Sequence, residues 1–143
     1  MKVPPDFRVN DSDLIELVVP SDLLGAKRPE RLITSEMSRQ GYDADTTFGL
    51  KLALEEAIAN AIKHGNRNDP SKHIVVRYHV DPQRVVIMVR DEGNGFHPDQ
   101  IPDPTKEENL ERPYGRGIML MQSYTTKVRF NRAGNEVWLL KEK

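Results

Sequence analysis

Three short groups of residues have types and spacings suited to chemistry. Glu56 and Asn60 stand four apart in a run of good helix formers, so they share one helix face. Their neighbours on that face are Leu52, Ala53 and Ala59, and a carboxylate and an amide covered by small apolar residues need partners. A ligand is one such partner, and a solvated helix face is the plainer alternative. Asp91, Gly93 and Gly95 directly follow an apolar, β-branched run. Glycines there let the backbone turn and approach a ligand, and the aspartate can accept a hydrogen bond from an exocyclic amine. Gly115 and Gly117 stand where an apolar helix should start, and free amides and the helix dipole favour phosphate at such a start. Each glycine group alone is also compatible with an ordinary turn. Neither is a Walker motif, and the dinucleotide Gly-x-Gly-x-x-Gly pattern is absent. The weight lies in their order: a polar pair on a helix, a glycine turn, a long loop, then glycines at another helix start.

These groups need elements to position them. The stretch Asp45 to Asn66 reads as a helix with Asp45 as N-cap and Gly65 as a left-handed C-terminal residue. Leu50, Leu54, Ala57, Ile58 and Ala61 fall within an arc of roughly 100° that should face a core. Lys51 and Glu55 fall on a separate stripe suited to water. Before it, Met1 to Asp11 reads as a loose arm, Leu14 to Val19 as a strand, and a helix capped by Ser21 or Asp22 runs to about Gln40, with Pro29 near an early position. After it, His73 to Val80 and Arg84 to Arg90 form a hairpin. His97 to Pro113 carries four prolines and many charges without periodicity, which suits a functional loop or lid. An apolar helix from Ile118 to about Tyr124 follows, then a hairpin of Lys127 to Phe130 and Glu136 to Leu140.

Strands that come mostly as hairpins, with helices between them, predict an α+β fold. The expected architecture is a two-layer α/β sandwich with a mixed, mostly antiparallel sheet and helices on one face. At 143 residues a single domain spanning 1–143 is expected, large enough for a real core. The net charge of −1 gives no basic field for direct nucleic-acid binding. The absence of cysteine excludes disulfides and thiolate chemistry and suits a reducing compartment. No apolar run approaches the ~20 residues that span a membrane, and the start has no signal-peptide core, so a cytoplasmic protein is expected.

The combination resembles the GHKL ATPase superfamily, whose fold (Bergerat-type, ATP-binding) is shared by gyrase, histidine kinases and mismatch-repair ATPases. Glu56-Ala57-Ile58-Ala59-Asn60-Ala61-Ile62-Lys63-His64-Gly65 looks like its N box, Asp91 to Phe96 like the first glycine box, and Tyr114 to Met121 like the second. The small stand-alone branch, the anti-sigma factor serine/threonine kinases, is matched through E-A-x-x-N-A-x-x-H-G. The resemblance extends from about Leu14 to Lys141.

The resemblance implies roles. Asn60 would hold Mg²⁺, Asp91 would read the adenine amine of ATP, and Gly93 and Gly95 would shape the adenine pocket. Gly115, Arg116, Gly117 and Ile118 would close on the phosphates, and Glu56 would be the general base. Arg116, Lys63, Lys106 or Arg112 would meet the γ-phosphate, and Thr125 or Thr126, the latter taken as the site residue, would stand beside adenine. The partners implied are a small anti-anti-sigma-like substrate protein and a sigma factor or similar target; a homodimer is compatible. The lid lacks a threonine- or glycine-rich phosphate stretch, and no upstream helical hairpin carries a phospho-accepting histidine. A nucleotide-gated binding module without kinase activity is the alternative, and Glu56 favours the kinase. The four histidines form no metal cluster, and His64 at a helix C-terminus needs no catalytic role.

Overall fold

Strand β3 (Arg84–Arg90) lies at the centre of the sheet, and its residues explain both layers of the molecule. Val85, Ile87 and Val89 point to one face and Val86 and Met88 to the other, all of them buried. The structure, a computed structural model, describes residues 2–93 and 113–143, with the backbone alone for 113–116. The sheet order is β1 (Ile15–Pro20), β2 (His73–Val80), β3, β5 (Glu136–Glu142), β4 (Lys127–Phe130). Every adjacent pair is antiparallel, so the mixed sheet allowed by the sequence is fully antiparallel here.

Helices α1 (Leu23–Arg39), α2 (Ala44–Asn60) and α3 (Pro113–Tyr124) carry the core side chains that cover the first face. Leu50, Leu54, Ala57, Ile58 and Ala61 are all buried there, as their spacing predicts. Asp22 caps α1, accepting from the Gly25 amide at 2.6 Å. Pro29 sits well inside that helix rather than near its start, with its ring buried.

Three expectations are corrected. The N-cap of α2 is Asp43, not Asp45: its carboxylate accepts from the Thr46 amide at 2.7 Å, while Asp45 lies in the first turn. The helical run ends at Gly65 with Asn66 as C-cap, but the left-handed residues are Arg67 and Asn68, at φ 52° and 59°, and not Gly65. Between Asn60 and that stop the helix widens into a π turn, Ala61–Gly65, closed by Asn66 N–H donating to Ala61 C=O at 2.8 Å. Finally, the first residues are no loose arm. Phe7 is fully buried and Val3 nearly so, against Val86, Met88, Trp138 and Leu140 on the sheet's second face. Asp6 anchors the segment to Lys127 at 2.9 Å and Arg129 at 2.8 Å, and Arg84 donates to the Phe7 carbonyl at 3.3 Å. Burying a phenylalanine side chain contributes about 1.5–3 kcal/mol toward holding the segment down.

Candidate active site

The π turn brings the end of α2 against the end of β3. Gly65 is not left-handed, and its lack of a side chain serves a different purpose. A Cβ there would lie 2.2 Å from the Asp91 carboxyl carbon. A Cβ on Gly93 would lie 2.0 Å from the Gly65 carbonyl oxygen. The two glycines therefore let the Asp91 carboxylate sit between two backbone segments that side chains would force apart. Gly93 N–H donates to Asp91 Oδ1 at 2.7 Å, and Asp91 N–H donates to the Asn135 carbonyl at 3.0 Å. Burial pushes the Asp91 carboxyl above the usual range, and the Gly93 amide and the more distant Lys72 only partly offset this.

Asp91 lines a pocket open to solvent, with Ala57, Asn60, Ala61, His64, Gly65 and Met121 on the helix side and Val89, Phe130, Gly134, Asn135, Glu136 and Val137 on the sheet side. His64 faces this pocket, and burial and the charge of Lys63 lower its pKa. Both effects disfavour the cation that the helix C-terminus would otherwise favour. Glu136 is buried and accepts from the Trp138 indole at 2.8 Å. Asn135 and Glu136 did not stand out in the sequence, and His64 was read there as a motif residue without a catalytic role. The turn Arg132-Ala133-Gly134-Asn135 marked the neighbourhood of Asn135 and Glu136, and Gly134 there has φ 78°.

Glu56 and Asn60 lie together on α2 under α3. A Cβ on Gly117 would come 2.8 Å from Asn60 Nδ2, 3.4 Å from Asn60 Oδ1 and 3.3 Å from Glu56 Oε2. Gly115 and Gly117 lie inside α3, which starts at Pro113, and do not precede the helix as expected. The first amides of that helix still lack intrahelical acceptors. Ile118 packs partly against the core, and Lys63 is exposed. Thr125 and Thr126 do not line the pocket. The Thr125 hydroxyl donates to Met121 C=O at 2.6 Å, and the Thr126 hydroxyl accepts from Glu142 N–H at 2.8 Å. Gly95, Lys106 and Arg112 lie outside the described residues, as does the side chain of Arg116.

The stripe expected to face water is half-buried. Glu55 and Glu56 line a groove between α1 and α2 with Lys27 and Glu30. Burial first, and the neighbouring Glu55 carboxyl second, push the Glu30 carboxyl up, while Lys51 approaches Glu30 at 3.6 Å.

The sequence reading also passed over Asn66, which is completely buried. Its Nδ2 donates to Ser21 Oγ at 2.9 Å and to His73 C=O at 3.1 Å, and its Oδ1 accepts from Glu92 N–H at 2.8 Å. Its only signal was position, directly after the last glycine of the helix.

A carboxylate walled by glycines suits an amino-purine edge, and it opens onto a helix bearing a carboxylate and an amide. On an antiparallel sheet covered by helices, that arrangement defines an ATP-binding domain of the histidine kinase-like class. Residues 20–141 match the family model described as "Histidine kinase-like ATPase domain", and the chain belongs to that family. It is similar to proteins named "Serine-protein kinase RsbW". The one from Bacillus subtilis is 32% identical, over 92% of this chain and 87% of the relative. Those from Oceanobacillus iheyensis and Bacillus velezensis are 26% and 28% identical, over 86% and 82% of this chain and 82% and 77% of theirs.

Proposed function

We propose that the protein is an ATP-dependent serine/threonine protein kinase of the anti-sigma factor type. It phosphorylates a small anti-anti-sigma-like protein and binds a sigma factor or similar target. The observation that carries this reading is the position of Glu56: its Oε2 lies beside Asn60 and against Gly117, where the phosphate end of a nucleotide anchored at Asp91 would arrive. The names of the relatives, all serine-protein kinases, support the same chemistry.

Asp91 would accept from adenine N6, an interaction that the guanine carbonyl cannot make. The site fits Mg²⁺ in one particular way. Asn60 offers a hard oxygen, and among the described residues no group of three or more His, Asp or Glu could hold a metal by itself. Mg²⁺ would therefore sit on Asn60 together with phosphate oxygens and water, its usual arrangement at nucleotide sites. Bound there, it neutralises phosphate charge. The substrate serine oxygen bonds to the γ-phosphorus, its proton passes to the Glu56 carboxylate, and the bond from phosphorus to the ADP oxygen breaks with its electron pair leaving on ADP. Gly115, Arg116 and Gly117, in the first turns of α3, would close on the phosphates. Cytoplasmic action fits the absence of cysteine. Among the described residues, no helix is long and apolar enough to cross a membrane.

The test is co-purification of partners with and without ATP, then single-turnover phosphate transfer and phosphosite mapping on the protein recovered. Transfer to a serine or threonine is expected. If the wild type transfers phosphate to no partner, the kinase assignment fails. Isothermal titration checks the nucleotide: ATP should bind better than GTP, and equal affinity would remove Asp91 as the adenine reader.

A further inference from the structure

We propose that Asn66 is a positioning residue for adenine recognition, acting on Asp91 without touching the nucleotide. The proposal rests on the nucleotide reading above. Its starting point is the chain around Asp91. The carboxylate can occupy its place only while the Gly93 turn stays pressed on the Gly65 backbone. Asp91 is held on one side by its own amide, bonded to Asn135 C=O, and on the other by Gly93 N–H, which is local to the turn. Neither bond ties the turn to the helix end that forms the opposite wall.

Asn66 supplies that tie. Its Oδ1 takes the amide of Glu92, the residue between Asp91 and Gly93, at 2.8 Å. Its own backbone N–H closes the π turn on Ala61 C=O, so the side chain starts from the element that carries Gly65. Its Nδ2 spends both hydrogens, on Ser21 Oγ and His73 C=O, at the end of β1 and the start of β2. One buried amide thus joins four segments and orients itself, since only one flip satisfies both its oxygen and its nitrogen. Nothing else among the described side chains bonds the Glu92 amide. Without Asn66 the amide would lose its partner, and the turn could lift from Gly65 and carry Asp91 away from the adenine edge.

The consequence is specific to the base. Asn66→Ala should weaken ATP binding about five- to tenfold, the scale of one lost hydrogen bond, and narrow the preference for ATP over GTP by a similar factor. Binding of magnesium tripolyphosphate, which has no base, should hold. Asn66→Asp keeps an acceptor for Glu92 while losing both donated bonds. It should melt lower than the wild type yet retain an ATP:GTP ratio within about twofold of it, a partial rescue that a purely structural role does not give. Ser21→Ala removes a bond on the far side and should lower the melting temperature with the ratio intact.

Titrations of ATP, GTP and tripolyphosphate, with melting curves for every variant, read all of this. A folded Asn66→Ala that loses ATP and tripolyphosphate equally, or that keeps the wild-type ratio, overturns the proposal. If Asn66→Ala does not fold, Asn66→Asp decides: a collapsed ratio overturns the proposal and a retained ratio sustains it. A wild type without adenine preference would instead refute the underlying nucleotide reading, and that outcome is visible before any variant is made.

Discussion

The two ends of the site are built by opposite means. At the Asp91 end, two glycines and a buried amide clamp a carboxylate between backbone segments, and its Oδ1 accepts from Gly93 N–H. At the Glu56 end, the side chains of Glu56 and Asn60 make no hydrogen bond among the described residues, and a helix carrying Gly117 lies directly on them. A base is recognised by a fixed edge, so its reader must be rigid before binding. Phosphates bring their own charge and metal, so the groups that meet them must keep free oxygens until the ligand comes. The same residue type serves both ends, as space for a close approach and not for a left-handed backbone. Neither Gly65 nor Gly117 has positive φ.

The largest effect should come from removing the proton acceptor at the phosphate end. Glu56→Gln keeps shape and most hydrogen bonding, so ATP and partner binding should persist while single-turnover transfer slows by ~10²-fold or more. Glu55→Gln, facing the groove toward Glu30, should leave transfer near the wild-type rate. If both variants transfer at the wild-type rate, Glu56 is not the base.

Next comes Gly65→Ala. The new methyl would collide with the Asp91 carboxylate, and overpacking of about 1–3 kcal/mol, if expressed at the site, lowers ATP affinity by roughly 5- to 150-fold. Titration should show the loss fall on ATP more than on tripolyphosphate. An equal loss on both would mean that the two ends are not separable.

A smaller effect is expected from Gly117→Ala. The clash is with the ends of two side chains that can swing, and alanine favours the helix by up to ~1 kcal/mol. Melting should therefore not fall, while transfer slows by about tenfold through displaced Asn60 and Glu56. A drop in melting temperature with normal transfer would contradict this.

The smallest is a pH effect at the rigid end. Burial raises the folded-state pKa of Asp91 above its unfolded value of 3.8. Between those two values the folded state holds more protons, so stability falls as pH rises through that window. Denaturation at stepped acidic pH should show that this slope is lost in Asp91→Asn.

The first residues show how tertiary context overrides a local reading. Two prolines and several charges there suggested a free arm, yet Phe7 is wholly buried. The clue lay elsewhere in the chain. The unbroken apolar run Val85 to Val89 means a strand covered on both faces, and the helices account for only one of them.

The sequence by itself determined the strands β2, β3 and β4 to the residue, the buried stripe of α2 and the shared face of Glu56 and Asn60. These follow from side-chain periods of 2 and 3.6, which are local properties of the chain. Only the tertiary structure decided what Gly65 is for, where Asn66 bonds and which residues wall the pocket beside Asp91. Those answers depend on atoms 26 residues apart in sequence meeting within hydrogen-bond distance. They also depend on a π turn that shifts the helix end toward β3, and no spacing rule along one segment encodes a distance between two.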